Sequence, residues 1–309
     1  MQTTTERPRA KRPAIVKHWR EYLSISPFFI LFLCFGIVPL IYAIQLSTVS
    51  WNGLGEQEFV GLDQFKRLFT EGEFVRALGN TVLIFVLGQI PVILGALVGA
   101  VLLSNRRLTG RGIYQTLFFL PQVTSIVAIA VIFQSLFSRD YGIINRLLEL
   151  VGVGAVPWLN SPWGVRIVIA LMIIWHSLGY FMVIFLAGLS GIAPELYEAA
   201  EIDGAGPMRR FWSITVPLLR PTIVFVAITG SIGGLQLFTQ PQVLLSGGTG
   251  PADSGLTMMY LQVMYLGTGS SASVEPDLGY AAAIGWAIFF VLIVLAAMNA
   301  RFLKLNREN

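Results

Sequence analysis

Apolar residues gather into six long runs, roughly 27–48, 81–103, 113–137, 167–189, 221–245 and 279–300, with polar connections between them. An α-helix needs about 20 mostly apolar residues to cross a hydrocarbon core of roughly 30 Å, and each run meets that length. The pattern predicts an all-α polytopic membrane protein with six transmembrane helices. Between the fourth and fifth runs lies a polar stretch, 190–218, too long to be without structure of its own.

Charge placement supports the count of six. All 21 Lys+Arg and all 17 Asp+Glu fall outside the runs, whereas a charge at the centre of a span costs about 2.5–3.5 kcal/mol on insertion scales. Composition agrees: 55% hydrophobic residues, 12% charged and a mean hydropathy of +0.70 are far from a soluble domain. The chain divides into a basic tail, 1–26, and a membrane domain, 27–309.

The basic residues also predict orientation through the positive-inside bias. With the N-terminus in the cytoplasm, fifteen Lys and Arg lie inside, among them Arg7, Arg9, Lys11 and Arg12 of the tail, Arg106, Arg107 and Arg111, and Arg209, Arg210 and Arg220. Six lie outside: Lys66, Arg67, Arg76, Arg139, Arg146 and Arg166. Both termini and the polar stretch are therefore expected in the cytoplasm. The tail and first run read as an uncleaved signal anchor, since the apolar run is too long for a secretory signal and no small-residue cleavage site follows. Its basic residues are expected to set topology and touch lipid headgroups, not to bind nucleic acid.

Several chemistries are excluded. The two histidines, His18 and His176, have no second His or Cys nearby to complete a metal site, and no acid within a span can orient His176 as a base. None of the four lysines (Lys11, Lys17, Lys66, Lys304) follows a glycine, so the phosphate-cradling G-x-x-x-x-G-K-[ST] loop is absent. No cofactor is expected on the chain, and energy must come from elsewhere. The single cysteine, Cys34, can form no intrachain disulfide and reads as a small packed residue of the first span.

The polar stretch carries helix signals. Pro194 suits a first turn, and Glu195 and Glu198 sit early, where acids favour the positive end of the dipole. Asp203-Gly204-Ala205-Gly206 supplies turn residues that stop this helix, with Gly206 allowing the turn. Pro207 opens a second helix and Pro217 closes it. Leu196, Ala199, Ala200 and Asp203 share one side of the first helix, where the small alanines permit close approach. From the residues alone, the pair is either an amphipathic surface feature at the headgroups or a docking site.

Glu198-Ala199-Ala200, then Asp203-Gly204-Ala205-Gly206, then Ile214 and Pro217, closely resemble the EAA motif of permease subunits in type I ABC importers. The fuller form from Glu195 to Gly206 is similar to the carbohydrate-uptake branch that includes maltose, lactose and glycerol-phosphate systems. The resemblance extends to Phe59-Val60-Gly61-Leu62-Asp63-Gln64-Phe65, Ala77-Leu78-Gly79-Asn80-Thr81, Phe118-Phe119-Leu120-Pro121, Leu186-Ala187-Gly188-Leu189 and Gly279-Tyr280-Ala281-Ala282-Ala283; only the basic tail lies outside it. It implies a permease subunit, not an enzyme, in a prokaryotic cytoplasmic membrane. The implied partners are a second related permease, most simply as a heterodimer, a separate ATPase dimer that binds ATP and Mg, and an extracytoplasmic substrate-binding protein. The first helix would seat in the ATPase through Glu198, Ala199, Ala200, Asp203, Gly204 and Gly206.

A sugar needs hydrogen bonds and aromatic faces along its path. The fifth span offers Gln236 and Gln240 at i,i+4, with Phe238, Thr239 and Gln242 beside them. Trp175, His176 and Tyr180 in the fourth span and Gln122 and Gln134 in the third are further candidates. Any single one of them reads more readily as an interhelical hydrogen bond, worth about 0.6 kcal/mol, than as a substrate contact, and the fifth-span pair is the best candidate for the latter. Gly95, Ala96, Gly99 and Ala100 suit close contact between helices. Trp51 and Trp158 fit an aromatic belt or a contact with the binding protein, and Ser246-Gly247-Gly248-Thr249-Gly250-Pro251 a flexible outer loop.

Overall fold

The computed structural model describes residues 19–104, 108–245, 257–267 and 275–305. Most of the tail, Arg106, Arg107 and the 246–251 loop lie outside the described residues. The chain enters through α1 (Trp19–Phe32), a π-helical turn (Leu33–Ile37) and α2 (Val38–Leu46). A two-residue antiparallel ribbon, β1 (Val49–Ser50) with β2 (Glu58–Phe59), leads to the amphipathic α3 (Asp63–Thr70). Then come α4 (Glu73–Ser104), α5 (Arg111–Val123), α6 (Ile126–Leu136), α7 (Ile143–Leu150) and α8 (Pro162–Ser190). The polar stretch holds α9 (Pro194–Ile202), α10 (Pro207–Arg210), a π-helical turn (Phe211–Thr215) and α11 (Val216–Leu218). The chain ends with α12 (Arg220–Leu235), α13 (Thr239–Leu245), α14 (Met258–Tyr265) and α15 (Leu278–Leu305).

Among the described residues, five helical stretches are long and apolar enough to cross a membrane: Tyr22–Leu46, Glu73–Ser104, Pro162–Ser190, Arg220–Leu244 and Leu278–Met298. The third run is the departure. It is not one helix but α5 and α6, bent by 96° at Thr124–Ser125, which makes it a broken span or a re-entrant pair. Pro121 has no N–H to give to the carbonyl four residues back, and Thr124 takes an extended backbone with ψ 141°. The helices also overrun the expected ends, so that Glu73, Arg76 and Arg166 lie within helices rather than in loops.

At the centre, α4 and α8 run parallel along their length, meeting through small residues of α4. A Cβ at Gly95 would lie 3.2 Å from Leu178 and one at Gly99 3.0 Å from Met182, while Ala96 and Ala100 are fully buried. This is the close approach their composition predicts. At Gly179 of α8, any side chain would overlap the carbonyl of Phe118, so α5 crosses directly on backbone. The main apolar core (Ile84, Val92, Val168, Met172, Phe185, Val226) lies between α4, α8 and α12. A second core (Leu68, Phe74, Leu235, Leu261, Tyr280, Ile284) joins α3, α14 and α15.

The α1–α2 stretch touches the rest of the chain through α2 against α15, but its apolar window is wholly unburied. Cys34 is accordingly exposed instead of packed within the chain.

Candidate functional site: the helix pair and the broken spans

Helix α9 begins at Pro194, as its sequence predicts, and is capped at its end by Asp203. The turn that follows needs one glycine, and it is Gly204, at φ +76°. Gly206 is extended (φ −65°, ψ 166°), and a side chain there would meet nothing within 4 Å. The backbone freedom expected of Gly206 therefore belongs to Gly204. Backbone bonds from Gly204 N to Glu201 O (3.0 Å) and Ala205 N to Ala200 O (2.8 Å) close the turn.

Pro217 does not close the second helix. The turn before it widens: the Val216 N–H bonds to Phe211 O, five residues back, which makes room for a proline ring that would collide with the carbonyl of Ser213 in a regular helix. Helical chain thus continues into the fifth span with only a break at Leu219. The same Val-Pro step, Val38-Pro39, follows the π turn of the first span, where Val38 N–H bonds to Leu33 O.

Two side-chain contacts fold α9 onto this second helix. The hydroxyls of Tyr197 and Thr215 lie 3.0 Å apart, and Arg210 Nη1 donates to Glu201 Oε2 at 2.8 Å. The opposite face is open. Glu198, Ala199 and Asp203 are exposed, and so are Leu196, Ile202 (88%), Met208 and Trp212. A small-residue, acidic and apolar surface of this kind suits another protein more than bulk water.

The fifth run also breaks, between α12 and α13, at Gln236–Phe238. Gln236 and Gln240 are therefore not neighbours on one helix; Gln236 is exposed at the end of α12 and Gln240 is half-buried in α13. Pro241 is the cause, since it cannot donate to Leu237 O. That carbonyl instead accepts the buried hydroxyl of Thr257, whose region also contributes Met258 N–H to Thr81 Oγ1 at 3.0 Å. Phe238 stacks at a tilt on Tyr260, with ring centres 6.2 Å apart, and Thr239 starts α13. Helix α13 packs on α6, so the segments beyond the two breaks touch.

The remaining candidates cluster elsewhere. Trp175 is half-exposed beside Phe133 (6.1 Å between rings) and lines an apolar cavity of about 700 Å³ at the α5–α6 bend. Tyr180 packs on Phe181 of its own helix, and Gln122, Gln134 and His176 are half-buried.

Of three polar residues at the other end of the bundle, Gln64 lies in a segment that carries the family resemblance, whereas Asn145 and Arg67 had no signal in the sequence beyond their polarity. Buried Asn145 accepts from Trp158 Nε1 (3.0 Å) and Val156 N (3.1 Å) and donates to Val156 O (3.0 Å), organising the loop between α6 and α8. Trp158 is thereby a packing residue, with its ring edge-on to Phe137. Arg67 Nη1 reaches Asp277 Oδ2 at 2.8 Å, lies over Tyr280 at 4.2 Å, and has Nε 2.8 Å from Glu71 Oε2. Buried Gln64 donates to Val49 O at 3.2 Å, and Gly279 fits against the same carbonyl. Early and late segments of the chain are joined here. No group of His, Cys, Asp and Glu among the described residues could hold a metal.

Spanning helices, one run sharply bent and another interrupted, with an exposed helix pair at one end, define a multi-pass membrane permease. The chain matches the family of binding-protein-dependent transport system inner membrane components over residues 91–305 and belongs to it. It is a permease subunit of a type I ABC importer, of the carbohydrate-uptake branch, and resides in the inner membrane. The lactose transport system permease of Rhizobium radiobacter is 35% identical over 96% of this chain and 97% of its own. The arabinooligosaccharides permease of Bacillus subtilis is 32% identical over 91% and 87%, and the trehalose/maltose permease of Thermococcus litoralis 32% over 82% and 87%. Among solved structures, a bacterial ABC transporter that imports the acidic polysaccharide alginate matches with a TM-score of 0.75 and 25% identity, over 94% of this chain and 96% of that one. Another structure of an alginate transporter contains an alginate pentasaccharide-bound periplasmic protein, and its 24% identity speaks to the fold.

Proposed function

We propose that this chain forms half of a translocation pathway for a neutral sugar or oligosaccharide and takes its work from a separate ATPase through the α9–α10 pair. The observation that carries the reading is the open face of that pair, clamped to the fifth span through Tyr197–Thr215 and Arg210–Glu201. Glu198, Ala199, Ala200, Asp203, Gly204 and Gly206 form the surface that meets the ATPase, which binds ATP and Mg. A rigid helix pair passes nucleotide-driven closure to α12 as a shift between cavity orientations.

The partners follow from the same features. The unburied α1–α2 stretch supports a second, related permease beside this one, as a heterodimer. The importers whose permeases resemble this chain, and the solved complex with a periplasmic protein, support a substrate-binding protein on the far side. Both termini and the helix pair are cytoplasmic in this arrangement, in keeping with the distribution of arginines. Gln236, Phe238, Thr239 and Gln240 at the fifth-span break, with Trp175, Tyr180 and Gln122, supply amide, hydroxyl and aromatic contacts fit for an uncharged polyol.

The test is uptake of labelled disaccharides and oligosaccharides by cells that express this chain with its partner permease, ATPase and binding protein, beside ATPase activity of the purified complex. Glu198→Lys is expected to cut uptake by about tenfold or more, by placing a charge of the wrong sign at the docking face. Wild-type uptake by this variant overturns the docking role, and copurification without an ATPase overturns the importer assembly.

A further inference from the structure

Where α4 and α8 end, beneath α9, the chain forms a half-open cavity of about 400 Å³ that neither docking to an ATPase nor sugar passage requires. One wall is apolar, from Val101, Leu186 and Ile192. The other is polar and carries a single formal charge, Arg111, which has no ion pair among the described residues.

The hydroxyls around it have defined capacities. Ser104 Oγ donates to Val101 O and Ser190 Oγ to Ala187 O, each at 2.7 Å, so both oxygens remain acceptors for a ligand's hydroxyl groups. Tyr197 and Thr215 share one hydrogen bond, which leaves one of their two protons to donate. The site thus offers one cation, one hydroxyl donor, two hydroxyl acceptors and an apolar wall at the ends of spanning helices.

We propose that this cavity binds a phosphoglycerol headgroup, with the phosphate on Arg111 and the Tyr197–Thr215 pair and the glycerol hydroxyls on Ser104 and Ser190. An arginine fork matches phosphate oxygens, and the apolar wall receives the first carbons of an acyl chain. Anionic lipid of the inner leaflet is one source of this chemistry and soluble glycerol phosphate the other. The occupant touches Tyr197, so it braces α9 against the spans. The location at the inner leaflet rests on the cytoplasmic placement of the helix pair; the binding itself does not depend on transport.

The experiment uses the full chain purified in detergent and titrated with dioleoylphosphatidylglycerol, dioleoylphosphatidylcholine or glycerol 3-phosphate, read by native mass spectrometry and by the unfolding midpoint. Phosphatidylglycerol is expected to bind and raise the midpoint, with affinity about tenfold weaker in Arg111→Gln, a loss typical of one charge-assisted contact. Ser190→Ala should weaken it less, and Arg209→Gln, an exposed arginine outside the cavity, not at all. Binding of phosphatidylglycerol alone identifies the lipid as the source, whereas an equal response to glycerol 3-phosphate identifies the soluble phosphate. Indifference between the two lipids without response to glycerol 3-phosphate, or equal affinity in wild type and Arg111→Gln, overturns the site. Uptake does not enter the readout, so failure of the importer reading and failure of this one are separable.

Discussion

Tyr197 and Thr215, eighteen positions apart, place their hydroxyl oxygens 3.0 Å from each other and so join the exposed α9 to the helical stretch that becomes the fifth span. Tyr197→Phe and Thr215→Val are each expected to cost about 0.5–1.5 kcal/mol, and the double variant less than their sum. A double-mutant cycle on unfolding midpoints measures the coupling. Uptake per ATP hydrolysed should fall in the single variants, because the first helix can then move without carrying the second.

The turn between the helices separates its two glycines. Gly204→Val forces a β-branched residue to φ +76° and is expected to cost more than about 1–2 kcal/mol, with reduced uptake. Gly206→Ala meets no neighbour within the chain and should fold and insert as wild type, so that any loss of uptake there reports contact with the ATPase. Transport assays normalised to membrane expression compare the two.

Gly179 is the closest point between α5 and α8. Even Gly179→Ala drives a methyl into the Phe118 carbonyl, so a loss of about 1–3 kcal/mol or a drop in folded yield is expected. Gly79→Ala, in open space on α4, is the matched control for thermal unfolding in detergent.

The Arg67–Asp277 pair ties α3 to the start of α15. Arg67→Ala removes the ion pair and the cation over Tyr280, leaves Asp277 with weaker compensation, and is expected to lower stability by about 1–3 kcal/mol. A smaller loss in Arg67→Lys would measure how much of the effect is charge alone.

Tyr265 donates to Glu73 Oε2 at 2.8 Å, and burial, then this bond, raises its phenol above the usual value of about 10. A group whose folded value is raised adds stability that is fully present below its unfolded value and lost as pH climbs past it. Wild type is therefore expected to lose stability above about pH 10, and Tyr265→Phe to show a flatter alkaline limb. Unfolding midpoints from pH 8 to 11 make the comparison; the Phe variant is expected to be the less stable of the two at pH 8.

Hydropathy carries the number and order of apolar segments, because twenty consecutive apolar residues have few uses besides spanning a bilayer. It is blind to direction. Nothing in the average over 113–137 distinguishes one straight helix from α5 and α6 at 96°, although Pro121 and the polar Thr124-Ser125 mark the break in hindsight. Pro241 likewise lies inside a continuous run, and its effect falls four residues earlier, at Leu237, where a hydroxyl distant in sequence takes over the bond. Among the loop residues, Pro194 marks a helix start that needs only local chemistry, whereas Asn145 and Arg67 act through partners 13 and 210 positions away, which no local pattern reveals.

The widened turn before Pro217 holds one residue more than an α-helical turn, so the two halves of this helix are out of phase by about 100°. Met208 and Trp212 face where they do only because that offset exists. With Pro217→Ala the backbone regains a donor and the turn is free to close up, which would swing both side chains around the helix axis while leaving every residue of the fifth span in place. Spin labels at Met208 and Val226 would register the change as altered distance rather than lost structure. A single imino acid thus sets the angular offset between the exposed helix pair and the fifth span.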